Sequence, residues 1–193
     1  MRELIMIRHG LTEGNAKRWY YGSTDLPLSD AGKAQLAELK RAGVYPALNG
    51  KQLITTPYLR TRGTAEILYP GAAAEEWPAL REVDFGEFEC RSYDDLKETE
   101  AYQSWLAGDW YHTAPPGGES FGEAEVRLTA ELQKLLAREE DAVLVVHGGT
   151  ILVFMELLFP EEHKTQYEWQ PAPGCGWEVD LAAHTYRPIG KTV

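Results

Sequence analysis

Two apolar segments, far apart in the chain, constrain the fold more than any other feature. Residues 4–7 and 142–146 are rich in β-branched side chains and have the length of buried strands. A His-Gly dipeptide follows each of them, with His9 after the first and His147 after the second. The carboxyl ends of strands in open α/β sheets meet at one edge, where ligands usually bind. If the two strands are neighbours, we therefore expect both imidazoles to face one crevice.

The remaining elements predict an α/β sheet with helices on both faces, because strand and helix signals alternate along the chain. A third strand is predicted at residues 52–55, and residues 177–187 indicate one or two edge strands. Helices are predicted from Ser29 to about Arg41, from Pro57 through Leu68, near residues 93–106, from Ser120 to about Arg138, and from Ile151 to Leu158. Residues 11–28 are polar, aromatic and glycine-containing, which indicates a long loop.

Length and charge limit the classes of function. The 193 residues fit a single domain, 1–193, and the formal net charge is −11. An acidic surface repels nucleic acid and anionic membranes, so we expect neither as a partner. The start of the chain lacks the pattern of an export signal and no segment is long enough to span a bilayer, which favours the cytoplasm. The sequence leaves monomer and homodimer open.

Cysteine and histidine spacing gives no support to a metal site. Cys90 and Cys175 are the only cysteines, lie far apart and are expected to be free thiols. None of the five histidines has a second histidine within four residues. We therefore expect chemistry without a metal and without a bound cofactor.

Arginines lie beside the predicted histidine crevice. Arg8 directly precedes His9, and Arg60 falls in the first turn of the helix that follows the third strand. Guanidinium groups match phosphate oxygens in pairs, and a helix amino terminus adds a favourable partial charge. Two arginines with two imidazoles predict a pocket for a dianion in an otherwise acidic protein.

Five segments in order then resemble the motifs of the histidine phosphatase superfamily, in its phosphoglycerate mutase-like branch. They are LIMIRHGLTEGN, TTPYLRTRGTAEIL, LREVDFGEFEC, PPGGES and VLVVHGGTI, and together they extend over nearly the whole chain. The resemblance implies a doubly wound, mainly parallel α/β sheet and a phosphohistidine intermediate formed without a metal. It is strongest to short bacterial phosphatases, among them α-ribazole-5'-phosphate phosphatases.

The resemblance also implies roles for individual residues. His9 would be the nucleophile and Glu82 the acidic residue, with Arg8, Arg60 and His147 completing the catalytic set. The substrate-binding residues would be Arg8, Asn15, Gly22, Arg60, His147 and the backbone of Gly148. Three positions depart from the commoner pattern: Leu11 stands where mutases usually carry Glu, Thr56 where Ser is usual, and Cys90 where Gly often closes the motif.

Alternatives remain for several of these residues. Arg62 lies close to Arg60 in sequence, and Asp84, Glu87 and Glu89 lie close to Glu82. Asn15 would serve equally as a loop cap. The other histidines, His112, His163 and His184, lack comparable context and are expected at the surface.

The chemistry itself follows from the residue types. Neutral His9 would attack phosphorus in line while cations stabilise the equatorial oxygens. Neighbouring positive charges lower the pKa of an imidazole and so keep it unprotonated, while a backbone carbonyl would hold its other nitrogen. Glu82 would protonate the leaving oxygen and then deprotonate the water that hydrolyses the phosphohistidine.

The predicted function is hydrolysis of a small-molecule phosphate monoester, with α-ribazole 5'-phosphate as a candidate. The alternatives are a cofactor-dependent phosphoglycerate mutase, disfavoured here by Leu11 and by the short chain, and a non-catalytic phosphate-binding module. Residues 82–120 form an irregular segment that we expect to set specificity. The aromatic residues Trp19, Tyr20, Tyr21, Tyr102, Trp105, Trp110 and Tyr111 would either stack on a flat leaving group or pack as core and lid.

Overall fold

The structure, a computed structural model, describes residues 1–109 and 111–190. The strands are β1 (Glu3–Arg8), β2 (Trp19–Tyr20), β3 (Gln52–Thr55), β4 (Ala74–Glu76), β5 (Arg91–Ser92), β6 (Ala142–Val146), β7 (Gly176–Asp180) and β8 (Thr185–Ile189). The helices are α1 (Glu13–Lys17), α2 (Asp30–Arg41), α3 (Leu59–Leu68), α4 (Tyr93–Leu96), α5 (Glu100–Ala107), α6 (Phe121–Leu136), α7 (Gly148–Leu158) and α8 (Gln166–Trp169). Single 3₁₀ turns lie at Pro78–Leu80, Gly86–Phe88 and Pro160–Glu162.

A six-stranded sheet in the order β4-β3-β6-β1-β7-β8 forms the centre of the fold. The strands β4, β3, β6 and β1 are parallel, whereas β7 and β8 are antiparallel to their neighbours. The strands that precede His9 and His147 are therefore adjacent and parallel, as the sequence predicts. A separate ribbon pairs β2 with β5.

The central strands are buried on both faces because alternate side chains enter two different cores. Leu4 and Met6 of β1 belong to one core, which includes residues of α6 and α7. Ile5 and Ile7 belong to the other, which includes residues of α2 and α3. A strand covered on both sides has a continuous apolar sequence, and this is the pattern that identified β1 and β6. The predicted fold class, a mainly parallel sheet with helices on both faces, is confirmed.

Three short elements differ from the sequence-based expectation at residues 11–28 and 74–76. The predicted loop contains α1 and β2. Thr12 and Asn15 form a reciprocal cap at the start of α1, and Arg18, at φ 54°, ends it after five residues. An element this short carries no detectable periodicity. The exposed edge strand β4 escaped prediction because its sequence is Ala-Glu-Glu.

Two further differences concern the second half of the chain. The strand β7 lies between β1 and β8, so of these last two strands only β8 is at an edge of the described sheet. The single helix predicted near residues 93–106 is two helices, α4 and α5. Thr99 is the amino-terminal cap residue of α5, so the helical conformation is interrupted between α4 and α5. Within the described residues, no helix is long and apolar enough to cross a membrane.

Candidate active site

The structure places His9 and His147 side by side at the carboxyl edge of the sheet. Arg8 pairs with Val146 in the register of β1 and β6, and the His9 amide donates to the Val146 carbonyl at 2.9 Å. The two ring centroids are 5.6 Å apart with an interplanar angle of 64°. Both side chains are almost completely buried, with 3% of His9 and 0% of His147 exposed. Buried imidazoles need hydrogen-bond partners, and the next contacts supply them.

One ring nitrogen of His9, Nδ1, forms a hydrogen bond to the backbone, which leaves Nε2 available for chemistry. Its Nδ1 lies 2.8 Å from the carbonyl oxygen of Gly10. A carbonyl only accepts hydrogen bonds, so we assign the proton of the neutral ring to Nδ1 and a lone pair to Nε2. Burial lowers the pKa of His9 well below its ordinary value, and the charges of Arg8 and Arg60 lower it further. His9 is therefore neutral at neutral pH and suited to act as a nucleophile through Nε2.

His147 has a partner at each ring nitrogen. Its Nε2 lies 2.9 Å from Thr56 Oγ1, and its Nδ1 accepts a hydrogen bond of 3.3 Å from Arg60 Nε. Burial, followed by the charge of Arg60, lowers its pKa well below the ordinary value. A phosphoryl oxygen only accepts hydrogen bonds, so the predicted contact with His147 would need a proton on Nδ1 in place of the bond from Arg60.

Arg60, not its neighbour Arg62, belongs to the site. Its side chain is completely buried, and its Nη1 and Nη2 donate to the carbonyl oxygens of Thr24 and Gly22 at 2.8 and 2.7 Å. The guanidinium also lies 4.4 Å from the ring centroid of Tyr58. Arg62 instead pairs with Glu76 at the surface. Of these two arginines, Arg60 contacts His147 and Arg62 does not, and the role of Arg60 in binding phosphate stays a prediction.

Arg8 supplies a partly buried cation with a spare donor. Its Nη1 donates to the Pro171 carbonyl at 2.8 Å, whereas its buried Nε has no hydrogen-bond partner among the described residues. Burial lowers the pKa of Arg8, but a guanidinium keeps its charge in proteins. A buried donor without an acceptor is costly unless a ligand completes it. An anion bound beside His9 would do so.

Glu82 is the acid that reaches the histidine edge of the sheet. Its Oε2 accepts from the Gly149 amide at 2.9 Å and its Oε1 from the Val83 amide at 3.0 Å. Glu87 is exposed, and Asp84 accepts from the hydroxyl of Ser23. Glu89 binds a loop near Arg60, away from the cavity described below. Among these four acids, only Glu82 lines the cavity described below, and its part in proton transfer stays a prediction.

The other predicted binding residues have different local roles. The Asn15 side-chain oxygen accepts from Thr12 and from Tyr21 Oη, so its amide nitrogen is the group left to contact a phosphate. The Gly22 carbonyl accepts from Arg60, and its amide donates to Glu89 at 2.7 Å. In this structure both backbone groups of Gly22 are therefore engaged within the protein, and its contact with substrate stays a prediction.

Gly148 lies in close contact with Arg8. A methyl group at position 148 would come within 3.1 Å of the Arg8 guanidinium and 2.6 Å of Gln170 Nε2. Only a residue without a side chain lets the start of α7 approach Arg8 this closely. The predicted role of its backbone as a phosphate donor is compatible with this position.

A cavity of about 400 Å³ opens beside these residues. Its lining includes Arg8, Asn15, Tyr21, Glu82 and Gly149, whereas His9, His147 and Arg60 lie behind this lining and are not part of it. The rest of its wall is largely aromatic and amide: Trp19, Tyr20, Phe85, Trp105, Phe121, Gln166 and Gln170. A larger cavity, of about 620 Å³, lies elsewhere, against Arg2, Asp141 and Arg187, and contains none of the predicted site residues.

The aromatic residues named from the sequence divide between cavity and core. Trp19, Tyr20 and Trp105 line the cavity, whereas Tyr102 is 1% exposed and packs in a small core with Phe88 and Leu96. Tyr21 lies near His9, and Tyr111 donates to Glu125. Trp110 lies outside the described residues.

Three residues of the site were not predicted from the sequence to have a functional role. Thr56, noted only as a departure from the common pattern, bonds to His147. Gln166 begins α8 and Gln170 directly follows it, and both line the cavity, although no sequence pattern pointed to them. The remaining histidines, His112, His163 and His184, are exposed as expected. No group of three or more His, Cys, Asp or Glu side chains suited to a metal ion occurs among residues 1–109 and 111–190.

Known proteins resemble this chain over nearly all of its length. It is 30% identical to a probable phosphoglycerate mutase GpmB of Cronobacter sakazakii, over 94% of this chain and 93% of that protein. It is 26% identical to an adenosylcobalamin/alpha-ribazole phosphatase of Salmonella typhimurium, over 92% and 90% of the two chains. The crystal structure of a putative alpha-ribazole-5'-P phosphatase from Escherichia coli superposes with a TM-score of 0.84 at 25% identity, covering 100% of this chain and 97% of that one.

These relatives carry phosphatase and mutase names, which supports an enzyme with one of these two activities. The model of the histidine phosphatase superfamily (branch 1) matches residues 4–187, which include every residue of the site described above. The chain therefore belongs to the histidine phosphatase superfamily, branch 1.

Proposed function

We propose that the protein is a metal-independent phosphomonoester hydrolase that forms a phosphohistidine at His9. The observation that carries this proposal is the state of His9: Nδ1 is held by the Gly10 carbonyl, and burial with two adjacent arginines keeps the ring neutral. A buried neutral imidazole beside arginines suits nucleophilic attack on a dianionic ester.

In the first step, His9 Nε2 attacks phosphorus and forms a P–N bond while the bond from phosphorus to the ester oxygen breaks. Arg8 and Arg60 stabilise the charge on the equatorial oxygens, and the unpartnered Arg8 Nε gains an acceptor. Glu82, carrying a proton, donates it to the leaving alkoxide. The products of this step are the free alcohol and phosphohistidine.

In the second step, water replaces the alcohol in the cavity. The Glu82 carboxylate, held by the amides of Val83 and Gly149, takes a proton from this water as its oxygen attacks phosphorus. The P–N bond breaks and inorganic phosphate leaves. Glu82 is then protonated again for the next ester.

For the substrate, we propose α-ribazole 5'-phosphate or a phosphate ester with a similarly flat, uncharged leaving group. Rings of Trp19, Tyr20 and Trp105 line the cavity beyond the phosphate site and offer faces and edges for stacking. The amides of Gln166 and Gln170 suit hydroxyl and ring-nitrogen partners. The names of the Salmonella and Escherichia coli relatives agree with this choice.

The charges of the cavity disfavour phosphoglycerate. Among the described lining residues, Arg8 is the only cation, and it is needed for the phosphoryl group. Glu119, also in the lining, is held by Arg81 and Arg127. The glycerate carboxylate would therefore lack a cation of its own. The short chain, however, does not separate the two activities, because the chain spans 93% of a relative named as a probable mutase.

The test compares wild-type protein with His9→Ala in the presence of EDTA. Substrates are para-nitrophenyl phosphate, α-ribazole 5'-phosphate and 3-phosphoglycerate, with release of inorganic phosphate as the readout. We expect chelator-insensitive release by the wild type alone, with α-ribazole 5'-phosphate preferred to 3-phosphoglycerate. Substitution of His9 should lower kcat at least about a thousandfold, since it removes the covalent route.

Two outcomes would contradict the proposal. Conversion of 3-phosphoglycerate to its isomer without phosphate release would establish the mutase. Inactivity of both proteins towards all three esters, with inorganic phosphate still bound, would establish a binding module.

A further inference from the structure

We propose that Glu89 is a positioning residue, which holds the phosphate-binding Arg60 in place through the loop at residues 22–24. The proposal rests on the phosphate site of the proposed function. Glu89 does not line the cavity, and we assign it no contact with substrate. Its action on the reaction is transmitted by the peptide groups of this loop.

The first observation is the number of backbone donors that one carboxylate collects. Glu89 Oε1 accepts from the amides of Gly22, Ser23 and Phe85 at 2.7, 3.0 and 3.1 Å. Its Oε2 accepts from the Thr24 amide at 3.1 Å. Three consecutive amides of the loop thus converge on a single side chain. Hydrogen bonds to a charged acceptor are shorter and stronger than neutral ones, so this contact fixes the loop.

The second observation is that the same loop holds Arg60 from its opposite side. The carbonyl oxygens of Gly22 and Thr24 accept from Arg60 Nη2 and Nη1 at 2.7 and 2.8 Å. The loop therefore turns its N–H groups towards a carboxylate and its C=O groups towards a guanidinium. Each charge polarises the amides in the sense that favours the other.

Arg60 depends on this loop for its orientation. The two carbonyls and His147 Nδ1 account for three N–H groups of the guanidinium. The others remain for a phosphoryl oxygen. A displacement of the loop would move these donors relative to His9 and so weaken phosphate binding.

Close packing at Gly22 indicates that the loop at residues 22–24 has a fixed position. A methyl group at residue 22 would lie 1.7 Å from the Val83 carbonyl oxygen, so the backbone of the loop packs directly against the backbone of Val83. Glu89 also ties the loop to Phe85, which lies in the same segment as Val83. The segment that carries the acid Glu82 thereby also sets the position of Arg60.

The test replaces Glu89 by Gln, which keeps the shape but turns an NH₂ group towards backbone donors. Binding of inorganic phosphate to the full-length protein is measured by calorimetry, and kcat and KM by ester hydrolysis. We expect phosphate affinity to fall and KM to rise by about tenfold, with a smaller change in kcat, since Arg60 binds ground state and transition state alike. Glu89→Asp, which retains the charge, should recover part of the affinity.

Glu87→Gln is the matched control. Glu87 is two residues away in the same segment, has an exposed side chain and should leave phosphate affinity unchanged. Thermal unfolding of each variant shows whether the fold is retained. If Glu89→Gln does not fold, Glu89→Asp is compared directly with the wild type, and its shorter side chain should still weaken phosphate binding measurably; unchanged affinity would then overturn the proposal.

A double-mutant cycle shows whether the effect passes through Arg60. In an Arg60→Met background, Glu89→Gln should change phosphate affinity by less than about twofold, because the group it positions is gone. An undiminished effect in that background would overturn the proposal. So would unchanged phosphate affinity in a folded Glu89→Gln protein. Because phosphate binding is measured directly, either result stands whether or not the protein hydrolyses esters.

Discussion

The hydroxyls of Thr56 and Thr61 decide which nitrogen of His147 carries the proton. Thr61 Oγ1 donates to the carbonyl oxygens of Thr56 and Tyr58, so it accepts from Thr56 Oγ1 at 2.9 Å. Thr56 Oγ1 then accepts from His147 Nε2, which leaves a lone pair on Nδ1 towards Arg60. His9 has the opposite tautomer, with its proton on Nδ1. The two neutral imidazoles therefore carry their lone pairs on different nitrogens: the adjacent Gly10 sets the tautomer of His9, and Thr56, 91 residues away in the chain, sets that of His147.

The lowered pKa values of the two histidines predict a loss of stability in mild acid. In the unfolded chain each ring takes up a proton near pH 6.5, whereas the folded protein keeps both rings neutral well below that pH. The unfolded state thus binds more protons as the pH falls below 6.5. The free energy of unfolding should decrease by up to about 1.4 kcal/mol per pH unit for each histidine.

Urea unfolding between about pH 7 and pH 5 measures this slope, a range in which model carboxylates stay mostly ionised. His9→Asn should remove one histidine's share of the slope, while His163→Asn, at an exposed position, serves as the control. A wild-type stability that is flat over this range would show that the buried rings are not held neutral.

At the scale of the element, the amino terminus of α7 lies between the end of β6 and the side chain of Glu82. The helix begins at Gly148, directly after His147, and the Gly149 amide donates to Glu82. A methyl group at residue 149 would lie 2.2 Å from Glu82 Oε1. The start of α7 therefore positions the proposed proton donor as well as following the second histidine.

Gly149→Ala should displace the Glu82 carboxylate without unfolding the protein. We expect kcat for an alkyl phosphate to fall by about tenfold or more, since a well-placed general acid contributes about a hundredfold or more. The loss should be smaller for para-nitrophenyl phosphate, whose leaving group needs little protonation.

Gly63→Ala provides the comparison, because it adds the same methyl group to α3, where the nearest atom is Leu28 Cδ1 at 3.3 Å. Equal kcat values for Gly149→Ala and wild type on the alkyl ester would contradict the assignment of Glu82 as proton donor.

The elements that could be predicted from the sequence are those with strong patterns. The strand β6 is apolar throughout, and Ser120 with Glu123 marks the start of α6. By contrast, α1 and β2 depend on local caps and on pairing with β5, which lies some seventy residues away in the chain. The side chains predicted to bind phosphate come directly after predicted strands, so their proximity at one edge of the sheet could be predicted from the sequence. Glu89 was not, because its partners are backbone amides that no sequence pattern identifies.

At the scale of the molecule, the site concentrates positive charge in an acidic protein. The chain has a net charge of −11, yet the buried Arg60 and the partly buried Arg8 lie beside two imidazoles at one edge of the sheet. Burying guanidinium groups is costly unless an anion or dipoles compensate them. Backbone carbonyls compensate part of this charge, and a phosphate would compensate more. The fold thus brings distant segments together into the proposed anion site, where we expect His9 to become phosphorylated.

The most direct measurement is to trap the intermediate. Wild type, Glu82→Gln and His9→Ala are mixed with para-nitrophenyl phosphate in the presence of EDTA, quenched in alkali within milliseconds to seconds, and analysed by intact-mass and peptide mass spectrometry. The account predicts an acid-labile phosphoryl group on His9 in the wild type, a larger amount in Glu82→Gln because its hydrolysis step is slowed, and none in His9→Ala. Turnover without any phosphorylated protein in Glu82→Gln, or a phosphoryl group on another residue, would contradict it.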